Sequence, residues 1–513
     1  MKDNQSMRSV DRRAAVMRAS VPLVVVLLLT VVALFLRVQG LRGADGDLGT
    51  DESRLALAAQ GVLATGLPTL PSGRIYTRAM LNAYLMAPSL WMLGPHDFAA
   101  RLPSAVFGAL LIPLVFVFGR AVAGTAGGLW AAAFSVFQPD LIKWSGKAWM
   151  PSLFVLVFVG AAYLLYLGFG DDRPSMQLAG GYGFIIALFV HELAVLLPMA
   201  VFASLVIRTT RRDFRWFAGR SSVLALLVFG FGVTLLVVLG LLLRMGTVAG
   251  STAEFSTYLA PSLTLTNLHF YYHTLVRGYP LLLAGAAFGM PFVVRSPKAG
   301  MLFLYMTMAT GMLTLGLLLY KSMERYGIML LPVLAIITTW SVITGTRLIG
   351  NRWKLKPPAA SALPAIALAL IFGVSLQGDL RAAPRSDDPT AHSWLAEFQA
   401  LGPGPEDLLL SDAPTVVAFY RGRVDYWARV ENYERYSYRA GDVIRELYTG
   451  AIRIGNAEDL RRVEQLHPGR TLWFLGRLWR LGQVDRALWT RLQQTARASK
   501  ITRDGWVIFR IDL

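Results

Sequence analysis

The sequence predicts a mainly α, polytopic transmembrane helical bundle of about 11 spans, followed by a C-terminal α/β domain outside the membrane. Three observations predict it: an apolar composition, a series of nearly span-length apolar stretches, and a polar tail in which short apolar runs alternate with helical periodicity. Hydrophobic residues make up 55% of the chain and charged residues 16%, with a mean hydropathy of +0.48. That is too apolar for a soluble protein of 513 residues.

A span needs about 20 predominantly apolar residues. Ser20–Leu36 is the first candidate; no small-residue cleavage site follows it, so it reads as an uncleaved anchor. Leu102–Gly119, the short glycine-rich Ala121–Phe137 and Pro151–Gly168 come next. The later stretches are Ser221–Leu243, Leu281–Val294, Met301–Tyr320, Ile328–Thr344 and Ala359–Leu376.

The net charge of +18 raises the question of a nucleic-acid partner, and its distribution answers it. From Gln377 onward there are 20 basic and 18 acidic residues, so the excess lies in the membrane portion. It gathers in the N-terminal segment (Lys2, Arg8, Arg12, Arg13, Arg18), in Arg208–Arg220 and in Arg347–Lys356. Basic clusters beside spans mark cytoplasmic loops. Nucleic acid is excluded as a partner, and the first loop, residues 38–101, falls outside. Cysteine is absent, which removes disulfide and thiolate chemistry.

Parity then constrains Leu178–Ile207, because an even number of crossings must separate the N-terminus from the Arg208–Arg220 loop. Two short crossings with a turn at His191-Glu192 satisfy this. A single long helix would instead require Leu81–Leu93 to cross, but Asn82 and Pro88 make that 13-residue stretch a better interfacial helix.

We divide the chain into a transmembrane domain, residues 1–376, and a soluble extracytoplasmic domain, residues 377–513, with Arg381–Thr390 as linker. In the tail, Asp407–Ser411, Arg470–Leu475 and Trp506–Ile511 read as buried strands, and Ala457–Leu466 and Val484–Ala498 as helices. The alternation implies a partly parallel sheet. No glycine-rich phosphate loop follows a strand, so a nucleotide site has no support there.

On the outer side this topology gathers Asp51, Glu52, Tyr76, Arg78, Lys147, His191, Glu192, Lys321, Arg325 and Tyr326. Ionisable residues at membrane depth are costly and point to function, and cations beside carboxylates suit an anionic headgroup. Plainer readings stay open. Asp51 and Glu52 can cap a helix, Arg78 can snorkel to lipid headgroups, Arg325 can anchor a helix start, and His191-Glu192 can be a polar turn. Asp45-Gly46-Asp47 spells a D-x-D, a weak metal signal, and Tyr271, Tyr272 and His273 fit interface aromatics.

DESRLALAAQGVLATG (51–66), Tyr76-Thr77-Arg78 and ARLPSAVFGALLIPLVFVFGR (100–120) together resemble the opening of GT-C fold membrane glycosyltransferases, in the branch of aminoarabinose transferases and protein mannosyltransferases. ERYGIMLLPVLAI (324–336) and AFYRGRVDYW (418–427) resemble later segments of that branch in order and spacing. The resemblance implies a polyprenyl-phosphate sugar donor, an outward-facing site in the inner (plasma) membrane, a functional aspartate at Asp51 and a donor-phosphate cation at Arg78. Two positions depart from the pattern. Ala79-Met80 stands where Pro-Pro is frequent, and Met150-Pro151 where a second aspartate often lies, so a two-aspartate or metal-bridged mechanism loses support.

The chemistry is arguable on its own. Polyprenyl phosphate leaves readily once cations neutralise its developing charge. Arg78 and Arg325, with Lys147 or Lys321, are candidates to hold it; Asp51, paired with Glu52, is the candidate base, and Tyr76, His191, Glu192 and Tyr326 are candidates to line the cavity. If the acceptor is itself an anion, Asp51 positions it rather than deprotonating it. No cofactor is required by this scheme, a divalent metal remains an alternative, and the acceptor (glycan, lipid or protein) is not specified. The rival reading is a transporter or flippase of a lipid-linked sugar, but transporters tend to carry internal repeats and broken mid-membrane helices, and no repeat is evident.

Overall fold

The computed structural model describes residues 2–42, 48–170, 173–209, 226–235, 248–249, 265–295, 299–318, 323–376, 393–431 and 433–513. The expected linker, Asp45, Asp47, Lys321 and most of Arg208–Arg220 lie outside them. A multi-pass helical bundle carries a sheet domain at one end, as the composition and hydropathy demand.

Helix α1 (Lys2–Arg42) contains the first span. After a short connection come α2 (Thr50–Thr65), strand β1 (Ile75–Tyr76) and α3 (Met80–Leu93). At 14 residues α3 is below span length, in keeping with an interfacial role, and Trp91 and Met92 at its end are exposed. Helix α4 (Asp97–Phe137) runs 41 residues but is not one rod. Gly124 adopts φ +80, a left-handed geometry that glycine enters without steric cost, and the chain reverses there. Its two limbs pack so closely that a Cβ at Gly128 would sit 2.5 Å from the Phe116 carbonyl oxygen. They cover Leu102–Gly119 and Ala121–Phe137, which were expected as separate crossings.

Helix α5 (Pro139–Ser145) and a tight turn lead into α6 (Pro151–Gly170), which packs along α7 (Pro174–Leu188). The turn at His191-Glu192 follows, and α8 (Leu196–Thr209) returns along the neighbouring helix Ala299–Leu313. These helices cover Leu178–Ile207, where parity asked for two short crossings, but at 15 and 14 residues neither reaches span length. The segment Gly246–Arg277, expected as a loop, includes the helical stretch Asn267–Arg277, which meets Pro280–Val294 at 93°. Tyr271 on that stretch is fully buried, its hydroxyl held at Met323, whereas Tyr272 is exposed. Helices Leu330–Arg352 and Pro357–Ser375 close the bundle. By length and composition six helices among the described residues can cross a membrane, α4 counting once, or seven if the bent pair is one span; the eleven expected are therefore not all accounted for.

Buried Arg37 locks α1 to this frame. Its guanidinium donates to the carbonyls of Ala33 (3.1 Å) and Ser135 (3.2 Å) and to the Ser145 hydroxyl (3.3 Å), so the end of the first span is tied to the second limb of α4 and to α5. Carbonyl and hydroxyl acceptors satisfy a charge that apolar surroundings would not tolerate.

The C-terminal sheet has eight strands in the order β5-β6-β7-β4-β3-β8-β10-β9. These are β3 (Leu408–Ser411), β4 (Tyr426–Ala428), β5 (Ser437–Ala440), β6 (Val443–Glu446), β7 (Ile452–Ile454), β8 (Thr471–Arg477), β9 (Ala496–Ile501) and β10 (Trp506–Asp512). Its centre, β7-β4-β3-β8, is parallel and its flanks antiparallel, so the partly parallel sheet is as expected. Helix Arg486–Thr495 stops short of the expected Ala498, because the chain turns into edge strand β9. Back in the bundle, strand β2 (Val248–Ala249) pairs with β1.

Gly128→Ala should force the limbs of α4 apart at a cost of about 1–3 kcal/mol. The readout is the melting temperature of the detergent-purified protein; no change would mean that the limbs are not in backbone contact at Gly128.

Candidate active site

Asp51 and Glu52 are adjacent in the first turn of α2, where acidic residues complement the helix dipole. Roughly 100° of helical rotation per residue turns them to different surroundings. Glu52 points into protein. Its Oε2 accepts from the Gly49 N–H (2.8 Å), and its Oε1 from the Ala148 N–H (2.7 Å) and Arg101 Nε (3.1 Å). Arg101 is 1% exposed and Glu52 6%, so this is a buried, multiply hydrogen-bonded ion pair. Glu52 was expected as half of a catalytic pair; it borders the cavity described next, and its carboxylate is held by α4 and the turn before α6.

Asp51 faces a cavity of ≈ 500 Å³, with 37% of its side chain exposed. One oxygen lies 3.3 Å from Arg54 Nη1 and the other 3.5 Å from Arg325 Nη1. Burial pushes its carboxyl up, but Arg54, Arg78 and Arg325 outweigh that and hold it below the usual carboxylate range. Asp51 is therefore ionised at neutral pH.

Arg78 and Arg325 converge on one indole. Their guanidinium carbons lie 5.3 and 6.0 Å from the ring centre of buried Trp149. Trp149 and Lys147 come from the turn between α5 and α6, and Lys147 also lines the cavity. Ala79, directly after Arg78, adopts φ +52, where an alanine is strained by about 1–2 kcal/mol. Proline, fixed near φ −65°, cannot take that conformation. The missing Pro-Pro thus has a physical correlate: the backbone turns left-handed to launch α3 while Arg78 stays in the site.

The expected cavity residues Tyr76, His191, Glu192 and Tyr326 stand behind this layer. Tyr76 is buried against Tyr448 of the C-terminal domain, ring centres 6.2 Å apart. The His191 ring packs between Phe154 (5.0 Å) and Tyr326 (5.6 Å), its Nδ1 accepting from the Leu193 N–H. Glu192 Oε2 lies 3.5 Å from that nitrogen, within electrostatic reach of Arg78 and Arg325. Together they support the cations from behind rather than forming the wall. Among the described residues, no cluster of three or more His, Asp or Glu could hold a metal ion.

The opposite wall was not foreseen. It comes from the C-terminal domain, through Asp412, Trp427, Arg429, Tyr436, Trp479 and Arg480. The resembling segment 418–427 ends at Trp427, but nothing in the sequence places the others beside Asp51. This domain also grips α2. Thr415 Oγ1 meets Ser53 Oγ (2.9 Å), Arg480 donates to Thr50 Oγ1 (2.6 Å), Arg477 to the Leu48 carbonyl (3.2 Å), and the Tyr420 hydroxyl bridges the Leu48 N–H and Asp97.

Residues 77–238 match the family model of dolichyl-phosphate-mannose-protein mannosyltransferase. The whole chain superposes on ArnT from Cupriavidus metallidurans in the apo state, with a TM-score of 0.58 at 14% identity, covering 97% of this chain and 98% of that one. The same protein bound to undecaprenyl phosphate gives 0.58 at 15% identity, over 94% and 97% of the two chains. The chain has the GT-C fold. The archaeal oligosaccharyltransferase AglB from Archaeoglobus fulgidus, in complex with an inhibitory peptide and a dolichol-phosphate, is similar too, with a TM-score of 0.52 at 11% identity over 97% of this chain and 74% of that one. No curated protein sequence matches the chain. The likeness to ArnT takes in both the helical bundle and the C-terminal sheet domain.

Glu52→Gln should leave Arg101 with only the more distant Asp97 carboxylate (3.9 Å) and destabilise the GT-C bundle by up to about 3–5 kcal/mol. Thermal melting checks this, and a variant as stable as the parent would refute the positioning role.

Asp412 yields a pH prediction. Burial raises its carboxyl from 3.8 to about 6, despite Arg480 and Arg477. The folded value lies above the unfolded one, so its stabilising contribution is complete below about pH 4 and is lost as pH rises through about 6. Between these limits the loss is at most about 3 kcal/mol. Asp412→Asn should flatten this part of the stability–pH profile; an unaltered profile would assign the slope to other groups.

Proposed function

We propose that this GT-C chain is an integral-membrane glycosyltransferase that moves a sugar from a polyprenyl-phosphate donor to an acceptor on the outer side of the membrane. One observation carries the reading: an ionised aspartate between two guanidinium groups, at the mouth of a cavity where the bundle meets its outer domain. The orientation rests on the basic N-terminus and the Arg208–Arg220 and Arg347–Lys356 clusters, which mark the opposite, cytoplasmic side. An inner-membrane location is part of the same proposal.

The reaction breaks the bond between the sugar's anomeric carbon and the phosphate oxygen, and its electron pair leaves with polyprenyl phosphate. Arg78, Arg325 and Lys147 bind the phosphate and offset the charge that builds on it. Trp149 keeps both guanidinium groups at one height. An acceptor oxygen attacks the anomeric carbon, and its proton, where it has one, passes to Asp51. The guanidinium groups make Asp51 a weak base, so its larger contribution is to orient the acceptor.

The name of the matching family and the lipid carriers in the similar structures support a lipid-linked donor. They favour transfer over the flippase alternative, in which the donor changes sides but is not consumed. Reconstituted protein supplied with radiolabelled polyprenyl-phosphate sugar tests this, with an envelope extract as acceptor source. Release of polyprenyl phosphate with label in the acceptor is expected; transbilayer movement of intact donor alone would establish the flippase.

In that assay Asp51→Asn should lower kcat about 10²–10⁴-fold at near-normal donor KM. Arg78→Gln should mainly raise donor KM. Equal kinetics for parent and Asp51→Asn would remove the aspartate from the reaction.

A further inference from the structure

We propose that the C-terminal wall of the cavity is the acceptor subsite, built for a saccharide carrying an anionic group, with the anion between Arg429 and Arg480 and a sugar ring on Trp479. The inference rests on the transferase reading above and adds an acceptor class to it.

The first argument is charge. Arg54 and Arg325 are committed to Asp51, but Arg429 and Arg480 line the same cavity held only by neutral groups. Arg429 donates to the Glu431 carbonyl (2.7 Å) and the Gln483 side-chain oxygen (2.7 Å); Arg480 donates to Thr50 Oγ1 (2.6 Å). Among the described residues neither meets a carboxylate within ion-pair distance, and buried Arg480 Nε has no hydrogen-bond partner. Asp412 attracts both cations from the same wall, while they repel one another. Two oriented guanidinium groups that share one buried carboxylate leave positive charge for a phosphate or carboxylate.

Shape is the second argument. Trp479 is 69% exposed, and the Arg480 guanidinium sits 4.5 Å from its ring centre, which fixes the indole at the rim. A wide apolar face beside fixed polar groups suits a pyranose, which presents C–H bonds on one face and hydroxyls at its edge. The committed carboxylates do not oppose this. Glu446 is occupied by the Thr449 hydroxyl and the N–H groups of Tyr448 and Thr449, and Glu52 by Arg101. Asp412, buried with one oxygen lacking a partner, is the remaining acceptor available to a sugar hydroxyl.

The third argument is location. Arg480 holds Thr50, the residue before Asp51, so a ligand on Arg480 lies beside the reacting carboxylate, in the cavity that Lys147, Trp149 and Arg325 also line. Donor and acceptor thus meet from opposite domains.

The test uses the full-length protein in lipid nanodiscs saturated with undecaprenyl phosphate, so that the donor-side cations are occupied. Calorimetric titration then compares glucose, glucuronate and glucose 6-phosphate. Both anionic sugars should bind about tenfold tighter than glucose, and the carboxylate and phosphate arms show which anion is preferred. Arg429→Gln should abolish the preference, while Trp479→Ala, at an exposed position, should weaken all three sugars and keep it. Equal binding of the three sugars, no binding of any, or a preference that survives Arg429→Gln together with Arg480→Gln would overturn the proposal. Failure to bind undecaprenyl phosphate in the first step would instead count against the transferase reading, with the sugar preference still measurable.

Discussion

The buried carboxylate of Glu52 is the constraint on which the candidate site depends. It caps α2 at Gly49, pairs with Arg101 on α4 and accepts the Ala148 N–H next to Lys147 and Trp149. Three segments that share no local sequence relationship are thereby set against one another at the level where Asp51, Arg78 and Arg325 converge. A buried ion pair is a poor source of net stability, since desolvation offsets much of the attraction, but losing one partner is severe. Its value here is geometric: one carboxylate fixes the frame so that its neighbour can face the cavity.

The bundle was legible in the sequence because membrane physics leaves few alternatives. Hydrocarbon tolerates only segments that satisfy their own backbone, and arginine clusters declare a side. The reversal at Gly124 and the paired short helices around His191 followed from hydropathy and parity. The strands at 407–411, 470–475 and 506–511 were legible for a similar reason, as short apolar runs bounded by turns. Arg78, Arg325 and Asp51 could be named because each is an ionisable residue beside apolar helices, where it is conspicuous.

Other features could not be read. Adjacent acids in one helical turn look identical in sequence, and only the packing of Arg101 and Ala148 separates the roles of Asp51 and Glu52. The second wall is assembled from β3, β4, the segment after β4 and the turn after β8, brought together by a sheet whose order is unrelated to chain order. Arg429 and Arg480 are 2 of 20 basic residues in the tail, ordinary surface charges until that sheet forms. Tyr76, His191, Glu192 and Tyr326 were placed at the right level but one layer too far forward, because sequence gives depth in the bilayer and not direction around the helix axis.

The grip of the C-terminal domain on the start of α2 ties the two parts of the chain into a single unit. Tyr420, Arg477 and Arg480 clasp residues 48–50, and Thr415 holds Ser53, so both sides of Asp51 are gripped from above. A fragment ending at Leu376 would retain Arg78 and Arg325 and lose the clamp on its aspartate. Drift in the soluble half is therefore limited by its duty to a residue more than 350 positions upstream, 362 in the case of Thr415 and Ser53.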